Sequence, residues 1–174
     1  ITEQIYRVDL VKEQIKVALG LGLSLKQEEI KSSGHSIECR INAEKIPEFS
    51  ASPGLIQAYH APGGLGIRVD SAIYSGYKVP PYYDSLICKL IVHGETRDEA
   101  IAKLQRALKE LIVDGIDTTA DLFGQITKDE DFLKELYSEY ENYVGRPTPL
   151  YFAERLTSKI NGANIFLKRE DLCH

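Results

Sequence analysis

The chain has 174 residues, of which 43% are hydrophobic and 27% are charged, and its formal net charge is -5 at neutral pH. This length fits one domain, or one domain with an appendage, and the composition is that of a folded soluble protein rather than a disordered or fibrous one. The acidic balance opposes binding to nucleic acid and to anionic membranes, because both depend on an excess of lysine and arginine. We therefore expect a folded protein with no nucleic-acid partner and no membrane partner.

The cysteines and the chain start indicate the compartment and the kind of chain. Cys39, Cys88 and Cys173 are odd in number and far apart, which fits neither a disulfide framework nor a zinc knuckle. The sequence has no apolar run near the roughly 18 residues of a spanning helix and no signal-peptide pattern. We expect a cytoplasmic protein. The chain lacks methionine and starts at Ile1, so we also expect an internal piece of a longer protein.

The first predicted element is a helix. Residues 9–19 carry apolar side chains at three- and four-residue spacing. Asp9 can cap the free amides at the start of this segment, and Gly20 can end it. The pattern predicts an amphipathic helix.

Strand patterns follow. Residues 36–42 alternate strictly between apolar and polar side chains, as a half-buried strand requires. The polar side of this strand holds Glu38, Arg40 and Asn42. Two short runs, 55–60 and 67–70, flank a Gly-rich loop at 61–66, which predicts antiparallel strands. The nearly continuous apolar run at 86–94 predicts a central strand.

Two longer helices are predicted in the second half. Thr96 and Glu99 have the spacing of a capping box, and an apolar stripe at helical spacing continues from them to Gly115. Another stripe begins after Asp129 and ends at Gly145, before two prolines that favour an extended link.

The last stretch predicts a short helix over 152–160 and a strand over 165–171, separated by the turn sequence NGAN. The whole pattern mixes helices and strands without regular βαβ alternation. It therefore predicts an α+β fold.

A set of motifs now places the chain in a family. RVDLVKEQI, SLKQEE, GHSIECRINAE, SPG, HAPGG, YDSLICKL, HGETRDEAI and ALKELIVDGIDT follow one another across residues 2–125. In this order and with these spacings the chain resembles the biotin carboxylases. The resemblance implies that residues 1–30 close an ATP-grasp domain and that residues 31–127 form a biotin carboxylase C-terminal domain, with an antiparallel sheet and packed helices.

The resemblance also implies an activity, that of an ATP-dependent ligase of the acyl-CoA carboxylase type that serves fatty acid biosynthesis. In such an enzyme ATP activates bicarbonate as carboxyphosphate, and the carboxyl group passes to biotin on a biotin carboxyl carrier protein. Its cofactors are ATP, Mg²⁺ or Mn²⁺, and biotin, and it is a homodimer.

The family's ATP-grasp lobes, phosphate loop, metal-binding glutamates and general base precede the position of Thr2. We therefore expect this chain alone to be inactive and to bind none of these cofactors. We also expect the apolar face of the 9–19 helix to lack its partner, which favours marginal stability or aggregation.

Three positions of this sequence match functional positions of the family. The resemblance implies that Arg40 is catalytic and faces the ureido oxygen of biotin, where negative charge develops. Spacing alone favours instead a strand arginine that pairs with Glu38 on a solvated face. Arg68 and Leu65 match the family's subunit interface, although Leu65 stands where phenylalanine is frequent. The alternative for Arg68 is a solvated surface charge.

Four other polar residues are given structural roles. Asp84 lies in the YDS motif and is expected to cap or bridge near the sheet rather than to take part in chemistry. His35, His60 and His93 lack the spacing of metal ligands.

Residues 128–174 carry a second resemblance, with the join between 124 and 133. VGRPTPLYFAERL and LKREDL resemble the N-terminal region of the tryptophan synthase β chain. In that family the lysine that forms the Schiff base, and the histidine beside it, follow the KREDL motif. Lys168 is therefore not that lysine and His174 is not that histidine, and we expect no pyridoxal phosphate to bind. Three functions are thus open: a biotin carboxylase fragment, a truncated fragment of a pyridoxal phosphate lyase, and a noncatalytic self-association module.

Overall fold

A computed structural model describes residues 1–135, 150–152 and 166–168. The chain divides into two compact units, Ile1–Thr127 and Lys128–His174.

Short strands and four α-helices make up most of the first unit. Its elements in chain order are α1 (Thr2–Tyr6), α2 (Leu10–Ala18), a 3₁₀ turn (Gln27–Glu29), β1 (His35–Asn42), β2 (Glu44–Lys45), β3 (Ser50–Ala51), β4 (Gly54–Leu55), β5 (Ala58–His60), β6 (Ile67–Ser71), β7 (Lys78–Val79), β8 (Leu86–Gly94), α3 (Arg97–Glu110), β9 (Ile112–Asp114) and α4 (Ala120–Ile126).

A three-stranded antiparallel sheet lies at the centre, in the order β1-β8-β6. The prediction that residues 86–94 form the central strand is confirmed, because β8 pairs with β1 on one side and with β6 on the other. The register with β1 runs from His35 opposite Gly94 to Ile41 opposite Cys88, and shifts between Ile41 and Asn42. Smaller pairs join β2 to β3, β4 to β7 and β5 to β9.

One face of this sheet and one face of α3 form the core. Leu90 and Val92 of β8 and Ile41 of β1 are fully buried, as the apolar side of an alternating strand should be. The side chains that α3 buries are Ala100, Leu104 and Ala107. Packing α3 on one face leaves the polar side chains of the strands on the other face.

The start of α3 has half of the predicted capping box. The Thr96 hydroxyl accepts a hydrogen bond from the Glu99 amide at 3.2 Å, which confirms Thr96 as the cap. The Glu99 carboxylate accepts from the amide of Glu95 at 2.8 Å, one residue before the cap, so the reciprocal bond of the box is displaced.

One predicted helix bound is wrong, and the predicted antiparallel strands have partners other than each other. The helix that follows Thr96 ends at Glu110 rather than at Gly115, because the β-branched residues that follow pair as β9 with β5. The runs 55–60 and 67–70 contain antiparallel strands, as predicted, but β5 pairs with β9 and β6 pairs with β8. Pairing over a long sequence distance leaves no local pattern from which it could be read.

The amphipathic helix predicted over 9–19 is confirmed as α2. Asp9 accepts a hydrogen bond from the Lys12 amide at 2.9 Å and caps it. The apolar face is uncovered by the described residues, since Val11 is 61% exposed, Ile15 56% and Leu19 69%. Burial of such a face stabilises a fold by about 25 cal/mol per Å², and that term is missing here.

Charged and polar groups hold the chain that follows α2. Glu13, buried on the other side of the helix, accepts from Lys16 Nζ at 2.7 Å and from the amide and hydroxyl of Ser24 at 2.9 and 2.6 Å. These hydrogen bonds, the one from Lys16 above all, lower the pKa of Glu13 from 4.5 to about 2. The segment 19–25 is thereby tied back to α2.

The Glu13 contacts predict a pH dependence. A carboxyl whose pKa is lowered on folding contributes stability above its unfolded value of 4.5, and this contribution is lost as pH falls toward about 2. The stability advantage of the wild type over Glu13→Gln should therefore be largest near pH 6 and shrink between pH 4.5 and 2. Unfolding by urea across this range measures the difference. Glu48→Gln, at an exposed position, is the control, and an advantage that does not shrink contradicts the prediction.

The tight turn before β6 requires glycine. Gly66 has φ +77°, and a Cβ there would overlap the backbone carbonyl oxygen of His93, whose amide donates to the Gly66 oxygen at 2.8 Å. Gly76 has a similar φ of +94°, but a Cβ at that position meets no atom within 4 Å.

These two glycines make a matched pair for a stability test. We expect Gly76→Ala to cost about 1–2 kcal/mol from the left-handed backbone alone, and Gly66→Ala to cost clearly more because the added methyl meets the backbone. Chemical denaturation of both variants measures the difference. Equal losses would mean that β6 and β8 do not approach as described.

The second unit is described in three segments. Asp129 accepts from the amide of Phe132 at 2.8 Å, and residues 130–135 are helical, so the helix predicted after Asp129 is confirmed at its start. The rest of that stripe lies outside the described residues. Strands β10 (Leu150–Phe152) and β11 (Phe166–Lys168) pair antiparallel. The strand predicted over 165–171 is confirmed at its centre, whereas Phe152 belongs to a strand rather than to the predicted helix, whose other residues lie outside the described part.

Candidate functional site

The face of the central sheet opposite α3 carries the charged side chains. Because paired residues of antiparallel strands share a face, two rows cross all three strands. These rows are Glu38, Ile91 and Arg68, and Arg40, Lys89 and Asp70. Ile91 is only 3% exposed, so the first row is covered, whereas Arg40 and Asp70 at the ends of the second row are exposed.

Arg40 is an exposed arginine on a rigid strand. Its guanidinium makes no hydrogen bond and no ion pair with the part of the chain that the structure describes. The alternative in which Arg40 pairs with Glu38 is therefore not what the structure has, although both lie on one face of β1. An unpaired guanidinium can donate to a ligand without first breaking a protein contact.

The backbone around Arg40 is fixed by a residue that the sequence did not single out. The amide of Asn42 donates to Thr119 Oγ1 at 3.0 Å, and this hydroxyl donates to the Arg40 carbonyl at 3.4 Å. Thr119 is only 4% exposed, and its own amide donates to the Asn42 carbonyl at 3.1 Å. Thr119 is the residue before α4, and threonine is a common helix cap, but its side chain makes no capping hydrogen bond. Thr119 and Asn42 are 77 positions apart, so no local sequence pattern indicates their contact.

A polar network continues from the end of β1. Asn42 Nδ2 donates to Glu44 Oε1 at 3.2 Å, and the Ser85 hydroxyl donates to the same oxygen. Asn42 Oδ1 is buried and has no partner among the described residues. These contacts hold β1 against the loop that leads into β8.

Arg68 is paired within the chain. Its Nη1 lies 2.5 Å from Glu3 Oε2 and its Nε lies 2.7 Å from Asp70 Oδ1, so it clasps α1 to the sheet. The hydrogen bond from Arg68 lowers the pKa of Glu3, and the two carboxylates raise the pKa of Arg68, Asp70 more than Glu3. Arg68 is thus a partly exposed surface charge that is paired with two carboxylates. Leu65 is 90% exposed.

The structural readings of Asp84 and His93 agree with their contacts. Asp84 Oδ1 accepts from the amide of Leu86 at 2.9 Å at the start of β8. His93 is buried, and its Nε2 lies 2.9 Å from the carbonyl oxygen of Ser33. Within residues 1–135 and the two described tail strands, no three His, Cys, Asp or Glu side chains are grouped so as to hold a metal.

The cysteines of the sheet are buried thiols. Burial raises the pKa of Cys39 to about 12, with a further contribution from the charge of Glu38, and raises that of Cys88 to about 11. The thiolate is the reactive form, so neither is a nucleophile at neutral pH.

A depression of about 570 Å³ lies between the end of α3, β9 and α4, and its lining carries Asp114, Asp117 and Asp121. Arg40 does not line it. In the described residues, no helix is both long and apolar enough to cross a bilayer.

The first unit is thus an α+β unit with a three-stranded antiparallel sheet, one long helix behind it and, in front, an arginine that has no partner among the described residues. Residues 38–140, more than half of the chain, match the family model of the biotin carboxylase C-terminal domain. The chain belongs to this family. The α+β prediction and the resemblance of residues 2–125 are confirmed.

Relatives agree with this assignment. The chain is 55% identical over 134 residues to a biotin carboxylase of Haemophilus influenzae, covering 77% of this chain and 30% of the relative. It is 54% identical over 134 residues to biotin carboxylase 1 of Bacillus subtilis, covering 76% and 30%. The chain thus spans less than a third of the length of these relatives.

A solved structure with the same fold is the biotin carboxylase domain dimer of Hydrogenobacter thermophilus 2-oxoglutarate carboxylase, in complex with MgADP, ADP and bicarbonate. It superposes with a TM-score of 0.75 at 43% identity, covering 82% of this chain and 34% of that one. The biotin carboxylase of Campylobacter jejuni in complex with βγ-ATP gives a TM-score of 0.73 at 46% identity, covering 76% and 30%.

Proposed function

We propose that this chain supplies the C-terminal part of a biotin carboxylase, an ATP-dependent ligase that carboxylates biotin on a carrier protein, and that it is inactive alone. The observation that carries the proposal is Arg40, whose guanidinium is exposed and unpaired on a sheet strand. In the proposed enzyme Arg40 donates to the ureido oxygen of biotin. Negative charge develops on this oxygen as the adjacent nitrogen becomes nucleophilic, and a fixed cation stabilises it.

The backbone of Arg40 is held in place on two sides. β1 is paired along its length with β8, and Thr119 holds the Arg40 carbonyl from the other side. The pairing therefore fixes the point from which the Arg40 side chain reaches the ligand. The described residues offer no metal cluster and no phosphate loop, so we assign ATP, bicarbonate and Mg²⁺ or Mn²⁺ to the missing lobes.

The proposed partners follow from the same assignment. They are the ATP-grasp lobes, the biotin carboxyl carrier protein and a second copy in a homodimer, all in the cytoplasm. The uncovered apolar face of α2 supports the first of these, since the missing lobes would bury Val11, Ile15 and Leu19. The Hydrogenobacter domain is a dimer, which supports the last.

Fusion of the whole chain to the preceding part of the Haemophilus influenzae relative tests the activity and the role of Arg40. The fusion should hydrolyse ATP in a biotin-dependent manner, and Arg40→Gln should lower this rate on the order of 10²- to 10³-fold, the usual effect of removing one preorganised donor. Lys109→Gln, at an exposed position in the last turn of α3, is the control and should retain the rate. A folded fusion without biotin-dependent hydrolysis contradicts the function, and an active Arg40→Gln contradicts the role.

We also propose that Leu65 and Arg68 lie in the subunit interface. Leu65→Asp places a charge at an exposed position without touching the fold, and Arg68→Glu opposes a partner carboxylate. Both should shift sedimentation of the fusion from dimer toward monomer, whereas Lys109→Glu, at an exposed position of α3, should not. Arg68 also binds Glu3, so Arg68→Glu could fail to fold. In that case the result of Leu65→Asp alone decides the test. An unchanged mass for both variants removes these residues from the interface.

The tryptophan synthase-like assignment of residues 128–174 stays a prediction, since its helix motif and its KREDL motif lie mostly outside the described residues. We expect no absorbance of a bound aldimine when pyridoxal phosphate is added to the chain.

A further inference from the structure

Lys89 lies directly opposite Arg40 on the open face of the sheet. The two residues are register partners on β8 and β1, and Asp70 of β6 is the register partner of Lys89 on its other side. Directly opposed residues of antiparallel strands have Cβ atoms about 4.5–5.5 Å apart. The structure therefore places two cations side by side.

Neither cation is neutralised by the part of the chain that the structure describes. The nearest carboxylate of the row, Asp70, is bound by Arg68 at 2.7 Å, and Lys89 makes no hydrogen bond or ion pair there. Glu38, on the diagonal from Lys89, also has no partner among the described residues. The side-chain amide of Asn42, the next residue on this face of β1 after Arg40, donates to Glu44. Lys89 is half-buried between its neighbours, so its stem is held even though its charge has no partner.

Like charges directly opposite each other destabilise a sheet. The pair does not stabilise the fold, but it can bind an anion. Two adjacent cations bind a ligand with two adjacent oxygen atoms more tightly than a single cation does. Arg40 alone is enough to bind the ureido oxygen, so the proposed function assigns no role to Lys89.

We propose that Lys89 is a second ligand-binding residue of the site and forms, with Arg40, a two-cation seat for a carboxylated ureido ring. This inference rests on the proposed function. In that ring the carboxylate on the nitrogen lies beside the ureido oxygen, so Arg40 binds the ureido oxygen and Lys89 binds the carboxylate. Arg40 is exposed on this face, so a ligand carried on another protein can reach the two side chains.

The stability of the chain itself tests the charge arrangement without any activity. In low-salt chloride, Lys89→Gln should raise the unfolding midpoint by about 1–2 °C, because repulsion from Arg40 is relieved. The gain should vanish in an Arg40→Gln background and at high salt, where exposed charges are screened. Lys78→Gln, at an exposed strand position in another sheet, should show no such coupling to Arg40→Gln. A Lys89 that pairs with Asp70 or Glu38 would instead lower the midpoint when removed, and that result overturns the proposal.

Bicarbonate, used as the probe for a carboxylate, gives the second test on the same chain. At constant ionic strength, replacing chloride by bicarbonate should raise the midpoint of the wild type and of Lys78→Gln, but not that of Lys89→Gln. Equal response of all three overturns the seat.

The fusion separates this inference from the proposed function. Lys89→Gln should lower biotin-dependent ATP hydrolysis on the order of 10²-fold and leave biotin-independent hydrolysis unchanged, and Lys89→Arg should restore part of the rate. A wild-type rate for Lys89→Gln overturns the inference while leaving the function intact. If the wild-type fusion shows no biotin-dependent rate, the function fails and the carboxylated ring fails with it, while the two stability tests still decide whether an anion seat exists.

Discussion

The antiparallel pairing of β1 with β8 is the constraint on which the first unit depends. It brings residues 35–42 against residues 86–94, and its register decides which side chains share a face. On one face it aligns Ile41, Leu90 and Val92 under α3, where they are fully buried. On the other face the same register aligns Arg40 with Lys89. A shift of one residue in β1 would exchange these two sets, because the side chains of a strand alternate.

The rest of the unit holds this pair in place at its two ends. Near the start of β1, Arg68 links β6 to α1 through Glu3, and His93 holds the carbonyl of Ser33. At the end of β1, Thr119 binds the backbone on both sides of the register shift. The ion pair of Arg68 is partly exposed, so it positions the strands more than it stabilises them. Most of the stability comes from the apolar layer between the sheet and α3.

The charged face and α2 share one physical property, which is that both are left unsatisfied by the described residues. The apolar side chains of α2 face solvent, and the cations of the open row lack partners. The chain spans less than a third of the length of the relatives it matches. Under the proposed function, the rest of the enzyme would cover these two surfaces.

The sequence by itself determined the elements whose signals are local. The alternation of 36–42, the apolar run of 86–94, the Asp9 and Thr96 caps and the α+β class could all be predicted, because period and capping depend on near neighbours. The match to the family also came from contiguous motifs, and it pointed to Arg40. Only the tertiary structure decided which strands pair, that β9 rather than a longer helix follows Glu110, that Arg68 binds Glu3, and that Lys89 lies beside Arg40. These facts depend on contacts between residues far apart in the chain, and such contacts are selected by the packing of the whole unit rather than by any local pattern.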